Sequence, residues 1–366
     1  MNVLICNRSA FNSVISPETA DNFRSVDFTI LGETISCTII KADIGEDVLE
    51  LSYPADGLSA SDLWPGVILC AETGSGAEFR QFYRIVEARR TFRTVEVTAE
   101  HISYWLNNFL VPPMKFTPGE SVSTDAIIAH IRANVILPRG ITALPFLIHN
   151  DISARKYADE LEGFTDPFTV RSGLQMIHEQ FGLPVIYENF HVFIQNVDGE
   201  TEIRYGKNLT EFQQEIFESD IVTGCVAYYQ NEGIFTKSAE VHYTSLSCDK
   251  LDYDRVIWAD CSSQFQDTPD LGVLSDAAEA YLRQHEKVTL DKNLTVNVAP
   301  EEDGKKLRLY NIVKVVYPEW GISESAVIVR TEYDVLKERF LSYELGKRML
   351  DITDAIKVIN RELRKI

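Results

Sequence analysis

The strongest constraint on this chain is a change in its hydrophobic period. Over residues 1–100, apolar side chains recur at every second position in short runs at 26–30, 35–40, 48–53, 66–71, 81–88 and 94–100, with turn formers between them. A period of two turns one face of each run to a core and the other to water, which predicts an antiparallel β domain. Beyond residue 110 the period lengthens. Ile127, Ile128, Ile131 and Val135 follow a Ser123 cap, and Val170, Leu174, Ile177 and Phe181 repeat at helical spacing before Gly182 and Pro184. Those patterns predict amphipathic helices. Short strands at 184–187 and 191–194 flank Glu188-Asn189-Phe190, so 111–201 reads as an α/β segment. A third helix is expected from Ser275 to about Glu286, and strands return at 294–298, 309–317, 326–331 and 339–343.

With 366 residues, a prior of roughly 100 to 200 residues per domain favours several domains over one. A hydrophobic content of 45% with 10% aromatics supports a large core and excludes wholesale disorder. The longest apolar runs are strand-sized, far below the roughly 18 residues of a membrane helix, so no membrane insertion is expected. Thirty-five basic against 55 acidic residues give a net charge of −20. Such a surface repels phosphate and argues against gripping nucleic acid by counterion release, although it would suit a wall past which DNA slides. Cys6, Cys37, Cys70, Cys225, Cys248 and Cys261 lie far apart with no C-x-x-C, and read as reduced thiols. The start, Met1-Asn-Val-Leu-Ile-Cys-Asn7, has no basic segment and reads as a first strand.

Two sequence features concern assembly. The spacing of 66–69, 83–86 and 94–97 is close to that of 311–314, 327–330 and 339–342, a faint internal echo of one strand–turn–strand unit. At the end, Met349, Ile352, Ile356, Ile359, Leu363 and Ile366 are spaced 3, 4, 3, 4, 3. Isoleucine at both core positions of a heptad favours three or four strands, which makes Ile352, Ile356, Ile359, Leu363 and Ile366 a candidate trimer seam; the alternative is a terminal helix folded on its own domain.

Motifs for chemistry are sparse. The seven histidines never fall in a compact ligand spacing, and neither a phosphate-binding loop nor a nucleophile elbow is present. Gly74-Ser75-Gly76 reads as a hairpin tip. Asp260-Cys261-Ser262 resembles the nucleophile segment of NlpC-type cysteine peptidases, but Pro269 follows closely and His285, the only downstream histidine, falls within the expected third helix. No catalytic residue, metal ligand or cofactor is therefore assigned.

Several segments together resemble the N-terminal structural region of phage and prophage tail-associated lysins, a family similar to the baseplate hub protein of contractile tails. They are Phe82-Tyr-Arg-Ile-Val86; Ala99-Glu-His-Ile-Ser-Tyr104, the family's A-x-H-I-S-Y turn; Tyr205-Gly-Lys-Asn-Leu209; and the closing segment Leu341-Ser-Tyr-Glu-Leu-Gly346. Gly206 suits a tight turn, Asn208 a helix cap, and Tyr104 and Trp105 core anchors. The resemblance implies an α+β multidomain chain: a first hub β-barrel at 1–110, an α/β insertion domain from 111–201 plus 246–287, a second related antiparallel barrel from 202–245 plus 288–346, and a short C-terminal helix at 347–366.

It also implies a role. Three chains with two similar barrels each would close a trimeric ring that adapts a six-fold tail tube to a three-fold tip and lines the DNA exit channel. The expected partners are two further copies, a distal tail or tube protein ring above, a tip, spike or fibre protein below, and DNA passing without specific binding. The expected place is the virion tail, assembled in the bacterial host cytoplasm. The chain is expected not to be an enzyme. A tail-associated peptidoglycan hydrolase and a glycan- or receptor-binding module, with Trp64 or Trp320 as sugar platform, are the alternatives.

Overall fold

Alternation of Cys37, Ile39, Leu49, Leu51, Val95, Val97 and Ala99 drives the N-terminal strands to share one buried face. The computed structural model describes residues 3–6, 28–43, 45–74, 80–117, 119–158, 161–195, 200–207, 209–217, 221–231, 234–244, 254–265, 267–285, 291–298 and 307–346. The first array comprises β1 (Leu4–Cys6), β2 (Thr29–Ile30), β3 (Ser36–Ala42), β4 (Asp47–Pro54), β5 (Ile68–Ala71), β6 (Gln81–Arg90) and β7 (Thr94–His101), in the order β3-β4-β7-β6-β5-β1-β2. Ile68 and Cys70 face a second core, whereas Leu69 and Ala71 face the first. β5 thus departs from the period of two expected of 66–71: all four of its residues are buried, two on each face.

That second core belongs to the α/β segment. It contains β8 (Leu110–Val111), β9 (Ser121–Ser123), α1 (Thr124–Asn134), β10 (Leu147–Asn150), β11 (Arg155–Tyr157), β12 (Phe168–Thr169), α2 (Val170–Phe181), β13 (Val185–Glu188) and β14 (His191–Ile194). Ser123 Oγ accepts from Ala126 N and starts α1. Thr169 and Ser172 form a reciprocal cap on α2, which ends on Gly182 at φ 65°. Ile127, Ile131, Leu174 and Ile177 pack into one cluster with Val192 and Ile194, as the spacing predicts.

The second array is built from β15 (Glu200–Arg204), β16 (Leu209–Phe217), β21 (Asp291–Val298), β22 (Ile312–Tyr317), β23 (Ile322–Asp334) and β24 (Arg339–Leu345), in the order β16-β21-β24-β23-β22-β15. Set against β3-β4-β7-β6-β5-β1, the two orders match strand for strand. The match extends to single hydrogen bonds. Gly66 N donates to Ile85 O (2.7 Å) and Ile85 N to Val67 O (2.8 Å), while Tyr310 N donates to Ile328 O (2.8 Å) and Ile328 N to Asn311 O (3.0 Å). Gly66 (φ 95°) and Tyr310 (φ 69°) share the left-handed conformation at this point. A register shift follows in both arrays, between Ile85 and Glu87 and between Ile328 and Arg330. The sequence echo is thus a structural repeat, offset by one residue from the alignment of 66 with 311. One difference remains: β1 pairs β5 antiparallel, but β15 pairs β22 parallel.

The expectation of two barrels needs correction. Among the described residues neither array closes on itself. Instead β23 pairs antiparallel with β3, from Arg330↔Ala42 to Asp334↔Thr38, and fuses both arrays into one open 13-stranded sheet. The edge of β3 is occupied by the other array, so it is not available to close a barrel of its own.

A separate compact unit spans Gln214–Leu294. It holds β17 (Gly224–Asn231), β18 (Ile234–Lys237), β19 (His242–Tyr243), β20 (Val256–Asp260) and α3 (Leu271–His285). Cys225, Ala227, Tyr229 and Ala259 pack on Leu274, Ala278 and Leu282. The described part of 246–287, expected to join 111–201, therefore builds its core with β17. Helix α3 starts four residues before Ser275, because Asp270 Oδ1 accepts from Val273 N (2.9 Å) and caps it there. Among the described residues no helix is long and apolar enough to cross a membrane.

Candidate functional site

The residues of Ala99-Glu-His-Ile-Ser-Tyr104 leave β7 and enter a 3-10 turn at Ile102–Asn108, where they meet α2 and the β13–β14 turn. His101 is fully buried and hydrogen-bonded through both ring nitrogens, Nδ1 to Ser103 Oγ (2.9 Å) and Nε2 to Gln81 Oε1 (3.0 Å). Ser103 N also donates to Nδ1 (3.3 Å), which fixes Nδ1 as acceptor and leaves the proton on Nε2. Ser103 Oγ in turn accepts from Arg171 Nη1 (2.6 Å). Arg171, on α2, is buried; it donates to Gly45 O, and its guanidinium lies over the rings of Tyr104 (3.8 Å) and Tyr187 (4.8 Å). Asn189, at φ 49°, completes the joint: its N donates to Gln81 Oε1 (2.8 Å), its Oδ1 accepts from Phe82 N (2.9 Å) and its Nδ2 donates to Arg80 O (2.8 Å). Below it, Asp47 accepts from Tyr83 OH (3.0 Å) and pairs with Lys41 (3.4 Å).

This network joins the first array to the α/β segment through paired polar groups. Its members are saturated by one another, which is the arrangement of a fixed joint rather than of a reaction centre. The same sequence motif that resembles a tail-protein family is thus a packing device.

Burial, only partly offset by the Asp47 charge, lowers the His101 pKa from 6.5 to about 3. The native state then binds fewer protons than the unfolded chain between those values. Stability from this group is fully present above pH 6.5 and is lost as pH falls toward 3. In urea titrations from pH 7 to pH 4 the midpoint is expected to fall, and His101→Gln is expected to flatten that slope. An unchanged slope in the variant would remove His101 as its cause.

Other sequence candidates fall as follows. Cys261 is fully buried and burial raises its thiol pKa, while Asp260 Oδ1 accepts from both Ser262 N (2.9 Å) and Ser262 Oγ (2.6 Å). The carboxylate stabilises a turn, and the thiol lacks the exposure a nucleophile needs. Tyr205-Gly206-Lys207-Asn208-Leu209 connects β15 to β16, with Gly206 at φ 81°; the block turns between strands rather than starting a helix, and Asn208 lies outside the described residues. Ser75 and Gly76, Cys248, and the seam residues Ile352, Ile356, Ile359, Leu363 and Ile366 also lie outside them. Among the described residues no group of three metal-ligating side chains converges. Trp64 stacks under Arg90 (4.5 Å). Trp320, 65% exposed, belongs to an aromatic group with Tyr205, Phe212 and Tyr317 at centroid distances of 4.6–5.8 Å. No motif search finds that group, because its members come from three separated segments.

No protein-family model and no curated protein matches the sequence. Solved structures do match in fold. The chain is similar to prophage tail protein gp18 of Listeria monocytogenes, at 13% identity with all of both chains covered and a TM-score of 0.55. It is similar to the prophage MuSo2 43 kDa tail protein of Shewanella oneidensis, at 9% identity over 95% of this chain and 98% of that one, TM-score 0.53. A tail protein of Neisseria meningitidis matches at 13% identity over 87% of this chain and 92% of that one, TM-score 0.51. With repeated arrays, an intervening α/β segment and near-complete coverage in each comparison, this chain has the fold of a prophage tail protein.

Proposed function

We propose that the chain is a structural hub of a phage or prophage-derived tail tip or baseplate. Three copies form a ring that adapts the six-fold tail tube to a three-fold tip and lines the channel through which DNA leaves. The observation that carries this reading is the repeat: two arrays with one strand order in one chain give a threefold assembly six near-equivalent positions. Closed cyclic assemblies satisfy every interface, and an obligate one buries more than roughly 2,000 Å². The net charge of −20 suits a lumen that does not retain DNA. A tube-protein ring above and a tip, spike or fibre protein below are the partners, and the role is not enzymatic.

Native mass spectrometry of the purified chain, alone and with tube protein, is expected to give three copies. A persistent monomer under both conditions overturns the reading. The exposed Trp320 group favours one second reading, a glycan-binding tail module. Glycan binding lost in Trp320→Ala would support that reading, and zymography on cell walls tests the hydrolase alternative.

A further inference from the structure

The unit at Gln214–Leu294 has a two-faced sheet. Along β17, Cys225, Ala227 and Tyr229 point to one side and pack, with Ala259, on α3. The alternate residues face the other way together with their ladder partners: Val226 stands opposite Trp258, Tyr228 opposite Asp260 and Gln230 opposite Phe235. Among the described residues of this unit, no helix covers that second face. Trp258 is 58% exposed, Phe235 55% and Val256 41%. Contiguous aromatics left open to water in this way mark a contact surface.

The three rings make a corner. Tyr228 and Phe235 lie at 28° to each other with centroids 5.7 Å apart, and Trp258 stands upright to both, at 86° and 71° and at 5.8 and 6.2 Å. The polar groups at the rim are held in place. Asp260 Oδ1 accepts from Ser262 N (2.9 Å) and Ser262 Oγ (2.6 Å), the same carboxylate takes the Tyr228 hydroxyl, and Ser262 Oγ accepts from Gln230 N (2.9 Å). These bonds, those from Ser262 first, hold the Asp260 carboxyl below the usual carboxylate range and keep it an ionised acceptor at neutral pH. Among the described residues three donors occupy three of the roughly four lone-pair sites of a carboxylate, and the side chain is exposed.

Area and charge select the occupant. Aromatics of roughly 150–250 Å² each, half exposed, offer with Val256 about 300–400 Å², well under the ~800 Å² per partner that a stable protein interface buries. Residues 214–294 carry 15 acidic against six basic side chains, so the unit repels phosphorylated and sulfated polymers. What fits is a small uncharged ligand that has both an apolar C–H face and hydroxyl donors. A pyranose ring has both: its slightly positive C–H groups pack on the negative face of an aromatic ring, and its hydroxyls can donate to the fixed carboxylate.

We propose that Tyr228, Phe235 and Trp258, with Asp260 at their rim, bind a pyranose unit of an uncharged glycan. The site is built from residues other than the Trp320 group and does not rest on the ring reading.

The test uses the full chain in isothermal titration with neutral oligosaccharides of glucose, galactose, mannose, rhamnose and N-acetylglucosamine, and with dextran sulfate as the polyanion. At least one neutral oligosaccharide is expected to bind, and dextran sulfate is not. Trp258→Ala and Phe235→Ala are each expected to weaken that binding about tenfold or more with circular dichroism unchanged, since both side chains are more than half exposed. Asp260→Asn keeps the shape of the rim without its charge and is expected to weaken binding by about threefold to tenfold. Trp320→Ala is expected to bind as wild type does. The proposal is overturned if no neutral oligosaccharide binds, if binding survives Trp258→Ala and Phe235→Ala, or if Trp320→Ala alone abolishes it. A lower copy number of Trp258→Ala in native mass spectrometry, without any sugar binding by wild type, assigns the face to a protein contact and overturns it too. None of these sugar-binding outcomes changes the copy number by which the ring is judged.

Discussion

Replacing Arg171 with methionine is expected to cost about 2–4 kcal/mol of stability, read as a lower urea midpoint. The guanidinium donates to Ser103 Oγ and Gly45 O and lies between two tyrosine rings, and methionine supplies none of these donors. Ser103 Oγ would keep its contact with His101 but lose the charged donor that polarises it. Arg171→Lys keeps the charge without the planar fork, and is expected to lie between wild type and methionine. Combining Arg171→Met with Ser103→Ala should cost less than the sum of the single changes, because both remove one shared hydrogen bond. A loss under about 1 kcal/mol in Arg171→Met would mean that water replaces the network and that the joint is not fixed by it.

This joint also shows what the sequence could and could not disclose. The elements were legible because their faces are simple: α1 and α2 each bury one stripe, with their caps at Ser123 and Thr169. The motif at 99–104 was legible as a resemblance, but its reason was not. Arg171 lies in the first turn of α2 with nothing in its spacing to distinguish it from a solvent-facing arginine, and its partners Gly45 and Ser103 are far away in sequence. The repeat was visible only as an echo, since arrays that keep strand order need conserve little beyond alternation. The fusion of the arrays was invisible, because alternation specifies which face of a strand is buried and says nothing of what occupies its edge. The start of α3 was misplaced for a local reason: Gly272 and Val273 look unhelical, while Asp270 caps the helix from outside the periodic stretch.

The seam between the arrays carries the largest expected single-residue effect. Tyr333 is buried where β23 pairs with β3, its ring 5.0 Å from Phe340, and Gly74 packs so closely that a Cβ built there would stand 2.3 Å from the Tyr333 ring. Tyr333→Ala leaves a void in the first array's core and is expected to cost about 3–5 kcal/mol. Gly74→Ala attacks the same contact from the other side, in a backbone conformation at φ 66° that disfavours a side chain. Tyr333→Phe separates packing from polarity: burial pushes the phenol pKa up to about 12, and removal of the hydroxyl alone is expected to cost under about 1 kcal/mol. The decisive readout is amide exchange. Because β3 and β23 hydrogen-bond to each other, Tyr333→Ala should lower protection in both strands together, with Cys37 and Ile39 losing it alongside Thr331 and Val335. If protection fell in the second array alone, the two arrays would be separate folding units in contact.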